Sequence, residues 1–488
     1  MKRINNFIII LIVFGFSCSN NNNITKLDEY PAIYPDYTDI HIPYNIAPLN
    51  FMIKENCTEL NIEVSGKYGE IKTSGKAKVL FPLNKFKDLL FKHKNDTLSV
   101  KVTAKINNKI IQYKSFRWFV HEEPIDSYLT YRLIEPGYEV WNKINISERN
   151  TTNFDDKVLA DNNLIEGSCM NCHIGSKQNP SKSFFHIRGP NGGTIVAEGE
   201  KLRKLNTKPV GSYANAIYGN WHPSGNYIGF STNIVLPATH TIHDKRVLVY
   251  DTKSDIIVVD LNKNEIISSP LVSRNDKFET FPEFSADGRK LIFCVSDSVK
   301  LPEDYKSLHY NLCSIDFNEK DRTFGKQVDT LINARVKKKT VSEPKASPDG
   351  KYILFTWFNY GTFPIWHREA KLCTYNLHDG SIDSLPEVNN NNYSNSYHSW
   401  SSNSRWFVFA SKRDDGLYGK PYFSYFDKNG KAHKPFLLPQ KDPEFYDFTY
   451  KSFNIPELFE QARAFDAMDI ERIYNDTLSV VKLKKMEE

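Results

Sequence analysis

Apolar and polar residues alternate with period two through much of this chain, in runs such as TELNIEVSG (58–66), TLSVKVTAKI (97–106) and QYKSFRWFVH (112–121). Alternation of this kind gives a strand one apolar face, and the Asn, Gly and Lys clusters between the runs supply turns. Residues 34–136 therefore read as a small β-sandwich of immunoglobulin-like type. The next stretch, GYEVWNKINISERNTTNFDDKVLADNNLIEG (137–167), is the most helix-like region of the chain.

The second half repeats itself. NWHPSGNYIGFST (220–232), EFSADGRKLIFCV (283–295), KASPDGKYILFTW (345–357) and SWSSNSRWFVFAS (399–411) each place a tight turn before an apolar strand. Anchored on Trp221, Phe284, Ala346 and Trp400, they recur at spacings of 63, 62 and 54 residues, the length of a supersecondary unit. Pro-Asp-Gly is turn chemistry, Pro fixing φ and Gly accepting φ > 0; in the fourth copy Asn403 and Ser404 replace Asp and Gly. A second strand and turn follow each copy, as in NLCSIDFNEKD (311–321) and KLCTYNLHDGS (371–381). Small antiparallel sheets of this kind bury their faces only by stacking radially, which predicts a β-propeller over 196–440 with at least four recognisable blades. Residues 184–206 are candidates for strands of an opening blade, and 441–488, through DTLSVVKLKK (476–485), for closing the ring. The aromatic-Ser-Pro-Asp-Gly-Lys turn resembles the TolB-type propeller repeat, which implies a binding platform and says little about chemistry.

The first residues change the picture. Lys2 and Arg3, an apolar run from Phe7 to Phe16, then Ser17 and Cys18 describe an export signal over 1–17, too short to span a bilayer. The site resembles the lipobox of bacterial lipoproteins, which implies lipid on Cys18, a polar tether over 18–33 and an envelope location facing the periplasm, with Ser19 after the Cys pointing to the outer membrane. The expected partners are the membrane, through that anchor, and a redox or envelope protein. A formal charge of +5 from 63 basic and 58 acidic residues, with no long basic run, excludes a nucleic-acid partner.

The candidate chemistry lies in EGSCMNCHIGS (166–176), where Cys169 and Cys172 stand two residues apart and His173 follows. A Cys-x-x-Cys-His suits covalent haem, because two thiols add to the vinyl groups while the His reaches the iron. Zinc is the rival, yet a second ligand pair at the usual spacing is absent and His186 is the only nearby His. A redox dithiol is a third reading, without the strand-to-helix pattern of a thioredoxin unit. The motif resembles that of c-type cytochromes, and export agrees with haem c; the turn-rich SKQNPSKSFFHIRGPNGG (176–193) replaces their usual helical surroundings.

On this reading 137–195 is a haem-binding junction between sandwich and propeller. His173 is the iron ligand and His186, beside Phe184 and Phe185, the candidate sixth ligand. His240 and His243 have metal-ligand spacing and also suit a loop across a propeller mouth, while His222, His367 and His398 read as turn or surface residues. Cys313 and Cys373 occupy matching strand positions and read as buried hydrophobes; Cys294 with Cys313 is the disulfide candidate. GPNGG (189–193) is a turn, and neither Gly-x-Ser-x-Gly nor His-Glu-x-x-His occurs. The expected function is monohaem electron transfer with the propeller as docking surface. Two alternatives stand beside it. One is a haem-dependent oxidoreductase with a second site in the propeller, similar in layout to periplasmic nitrite reductases. The other is a non-catalytic envelope scaffold that binds protein or glycan.

Overall fold

The computed structural model describes residues 24–135, 143–165, 167–177, 179–208, 216–237, 249–390, 392–476, 479–480 and 482–483. The signal segment and Cys18 lie outside them, as do His240 and His243. Among the described residues no helix is long and apolar enough to cross a membrane.

The N-terminal part pairs a seven-stranded sheet with a three-stranded one, and the helix Leu83–Lys92 packs Phe86, Leu89 and Leu90 into the core they share. Alternation shows directly in Glu59–Gly66 and Asp96–Ile106, where Leu60, Ile62 and Val64 face Val100, Val102 and Ala104 inside. Part of the expected tether is structured, since Ile24–Lys26 pairs in parallel with Lys109–Gln112.

Six further sheets make the rest of the molecule. Blade one holds Tyr128–Ile134, Ile144–Asn150 and Asp156–Asp161, with Ser452–Phe459 as its innermost strand. Blades two to six start from the innermost strands Cys169–Gly175, Ala216–Trp221, Lys277–Phe284, Thr340–Ala346 and Asn395–Trp400, each followed outward by the next strands in sequence. Each innermost strand packs against the next, and that of blade one packs against that of blade two, so the six form a closed ring. The result is a β-propeller of six blades.

Aromatic and β-branched residues fill the spaces between blades. Phe184, Trp221 and Phe230 pack between blades two and three, Phe284 and Phe293 between three and four, and Ile292 and Phe355 between four and five. Each fully buried side chain of this size contributes roughly 1.5–3 kcal/mol, so the radial contacts hold the ring together. The repeated turns set the strand spacing: Gly225, Gly288 and Gly350 sit at φ 69°, 73° and 71°, and Ser404 takes the same conformation at 60°. Asn403 replaces the Asp side chain, accepting from Ser401 Oγ at 2.6 Å and Arg405 N at 2.9 Å as Asp287 does from Ser285 and Arg289.

Several expectations change. The helix-like stretch 137–167 forms two strands of blade one, because Ile144, Ile146, Leu159 and Ala160 are needed against Phe185 and Ile187 of the neighbouring sheet. Segments 128–161 and 169–206 thus belong to the propeller, which begins well before residue 196. The ring closes through Ser452–Phe459; Ser479–Val480 and Lys482–Leu483 instead lie in parallel on the outer edges of blades two and three. The N-terminal part docks on blade six, where Trp406 Nε1 donates to the Glu123 carbonyl at 3.0 Å and Tyr37 Oη to the Leu437 carbonyl at 3.2 Å within one continuous apolar core.

Candidate ligand-binding channel

Every innermost strand slips its register once. In blades three to six the slip falls after Ile217, Thr280, Ser342 and Ser396, and the next residue has positive φ: Tyr218 (45°), Phe281 (52°), Glu343 (56°) and Tyr397 (48°). Ile455 (51°) does the same in blade one. Non-glycine residues pay for this conformation, and five copies at one register position mark a built feature of the ring. All five line a central channel of about 380 Å³.

The Cys-x-x-Cys-His motif occupies this same register in blade two. The slip lies between Asn171 and Ile174, so Cys172 takes the bulge position and His173 the position of Gly219, Pro282, Pro344, His398 and Pro456 in the other blades. The side chain of Cys172 lies outside the described residues; Cys169 is buried with Met170, Phe185 and Ile187. His173 turns toward blade one, against Thr130, Ile146, Leu159 and Phe459, with burial and then Arg132 pushing its pKa down to about 3. His186 shares the face of Phe184, which packs on blade three; it meets Thr194 Oγ1 at 3.2 Å and is likewise pushed to about 3 by burial. The two histidines therefore occupy opposite faces of blade two.

His173 and His186 do not come together as a pair of ligands for one haem. The space beside His173 is about 20 Å³, room for about one water, whereas a porphyrin needs on the order of several hundred Å³. One ring cannot lie between imidazoles on opposite faces of a sheet. No group of three or more His, Cys, Asp or Glu suited to a metal occurs among the described residues. His222, expected in a turn, is buried there and bridges to the neighbouring blade, its Nε2 3.1 Å from the Gly288 carbonyl. His398 is likewise buried, with Nε2 2.9 Å from the Leu354 carbonyl. The expected disulfide is excluded by register: Cys313 lies opposite Phe293, Cys294 opposite Leu312, and the two thiols belong to the cores on either side of blade four.

The channel itself was not legible as a site, although one signal was available. Tyr218, Phe281, Glu343 and Tyr397 each stand seven residues before the left-handed turn residue, Gly225, Gly288, Gly350 or Ser404. Aligning the copies on that residue places one channel-facing side chain per blade.

Around these residues the channel carries four cations, Arg132, Arg188, Lys345 and Lys412, and two carboxylates, Glu135 and Glu343. Arg132 is 9% exposed, its Nε has no hydrogen-bond partner, and it makes no ion pair among the described residues. Lys412 Nζ lies over the Trp366 ring, and Glu135 is tied to Lys451 at 3.8 Å. Glu343 accepts from Tyr397 N at 2.9 Å, and burial pushes its pKa up to about 7, so part of its charge is lost near neutrality. Two residues beyond the bulges, the buried Asn220, Glu283 and Glu457 and the half-buried Lys345 form a polar belt: Asn220 bonds Glu283, Lys345 lies 3.9 Å from Glu283, and Glu457 accepts from Gly175 N at 3.2 Å. Beyond it lies a cleft of about 20 Å³. The channel is thus a pocket with apolar and aromatic walls into which four cations and two carboxylates reach. Val235 and Val249, which flank the segment containing His240 and His243, reach its wall.

No family model matches this chain, and no curated protein matches it. Among solved structures it is similar to prolyl oligopeptidase B from Galerina marginata, at 11% identity and a TM-score of 0.34, over 80% of this chain and 54% of that one. It is also similar to a chain from a study of two prolyl endopeptidases, at 10% identity and a TM-score of 0.33, over 64% of this chain and 42% of that one. A putative dipeptidyl aminopeptidase IV from Bacteroides ovatus matches at 11% identity and a TM-score of 0.24, over 84% and 62%. The chain spans about half the length of the prolyl peptidases it matches, and likeness at these scores carries no argument about activity.

Proposed function

We propose that the protein is a binding protein whose central channel takes a small organic anion. One observation carries the reading: Arg132 is buried at the channel wall, its Nε has no hydrogen-bond partner, and it forms no ion pair among the described residues. A buried unpaired guanidinium costs several kcal/mol, a cost that a ligand carboxylate or phosphate offsets by accepting charge-assisted hydrogen bonds. Tyr218, Phe281 and Tyr397 offer faces for an apolar body. Pockets of this volume, apolar with a few converging polar groups, are the usual form of small-molecule sites.

The test is calorimetric titration with benzoate, glucuronate and inorganic phosphate at low salt. At least one should bind, and Arg132→Gln should weaken it tenfold or more. Failure of all three to bind the wild type refutes the reading. A covalent haem on Cys169 and Cys172 serving electron transfer is the competing proposal, supported by the Cys-x-x-Cys-His sequence. A pyridine-haemochrome spectrum on protein made with c-type maturation machinery decides it, one haem per chain establishing electron transfer as the function to pursue.

A further inference from the structure

The channel mouth is not bounded evenly. Leu417 and Tyr418, from the loop between two strands of blade six, line the channel and continue outward. The Tyr418 ring meets Tyr450 edge-on with centroids 6.3 Å apart; Tyr450 is 64% exposed and Phe448, two residues earlier, 74%. Leu417 is 49% exposed beside them. An aromatic ledge therefore runs from the mouth onto the surface, and exposed aromatics grouped in this way mark a binding surface.

We propose that channel and ledge together hold the acidic end of an oligosaccharide, its terminal carboxylate at Arg132 and the following sugar rings stacked on Tyr418 and Tyr450. This rests on the anion reading above and names the ligand class. Continuity selects the occupant: the ledge begins where the cationic pocket ends, so one extended molecule covers both. Pyranose rings present C–H faces that lie flat on aromatic rings, and their hydroxyls suit tyrosine rims. A peptide that binds by adding a strand would instead need an uninterrupted strand edge to pair with. Each described innermost strand is interrupted by its register slip at the level of the channel.

The test is titration of the full chain with glucuronic acid, triglucuronate, trigalacturonate, neutral cellotriose and the peptide acetyl-Tyr-Tyr-Glu. One acidic trisaccharide should bind at least tenfold tighter than the monosaccharide, cellotriose and the peptide. Tyr450→Ala, at an exposed position, should abolish the gain from chain length while leaving glucuronic acid binding within twofold, and Tyr450→Phe should restore it. Equal affinity for monomer and trimers overturns the ledge while leaving the channel reading intact, and a peptide or neutral sugar that binds as tightly overturns the ligand class. No binding by any of these sugar acids overturns this ligand class, and the channel reading falls with it when benzoate and phosphate fail to bind as well.

Discussion

Arg132 and Glu343 carry opposite burdens in one channel. Removing an unpaired buried charge relieves a desolvation cost, so Arg132→Gln should raise the melting temperature of the ligand-free protein by a few degrees, as a gain of about 3 kcal/mol does in a chain of this length. Scanning calorimetry checks this, and a fall of several degrees would show that Arg132 is a structural residue. Glu343 titrates near pH 7 in the folded chain against roughly 4.3 unfolded, so its proton is held more tightly when folded. Its contribution is fully present below about pH 4.3 and is lost as pH rises through 7. Glu343→Gln removes that loss, and the melting temperature of the variant relative to wild type should climb between pH 5 and pH 8. A constant difference would mean that Glu343 is already ionised and paired at the lower pH.

At the scale of the element, the repeated turn is the unit that the sequence displays best. Gly288 sits at φ 73° with His222 of the preceding blade against it, so a Cβ there meets both strain and the imidazole. Gly288→Ala should destabilise by about 2 kcal/mol or more, measured by urea unfolding, whereas Gly199→Ala, at a positive φ with open space around it, should cost about half as much. The blades of 220–440 were legible because this turn and the strand after it are local. Blade one was not, because its innermost strand comes from 452–459 and its other strands from 128–161, a pairing that no local pattern announces. For the same reason the stretch containing Ile144 and Ile146 read as helical, until the sheet beside it fixed its period. The Cys-x-x-Cys-His was legible as a motif. Its place in the repeat was hidden, because the turn that follows Gly175 lacks the Pro-Asp-Gly by which the other copies align.

For the whole molecule, closure of the ring decides whether six marginal sheets act as one body. Radial repeats are stable only when each blade has both neighbours, and here the last link is a single strand. Ser452–Phe459 supplies Phe453 and Leu458 to the main core, Glu457 to the polar belt and Ile455 to the channel. Truncation after Lys451 would bare the edge of Tyr128–Ile134 and leave the innermost strands of blades two and six without the strand between them. Among the described residues, truncation after Asn475 removes Asp476 and the short parallel additions at the outer edges of blades two and three. The shorter chain should therefore elute as aggregate and lose a cooperative thermal transition, while the longer one should stay monodisperse and melt within a few degrees of the full chain. Were the longer chain to collapse as well, the ring would owe its closure to the outer strands at 479–480 and 482–483, and the position of Ser452–Phe459 in blade one would have to be reassigned.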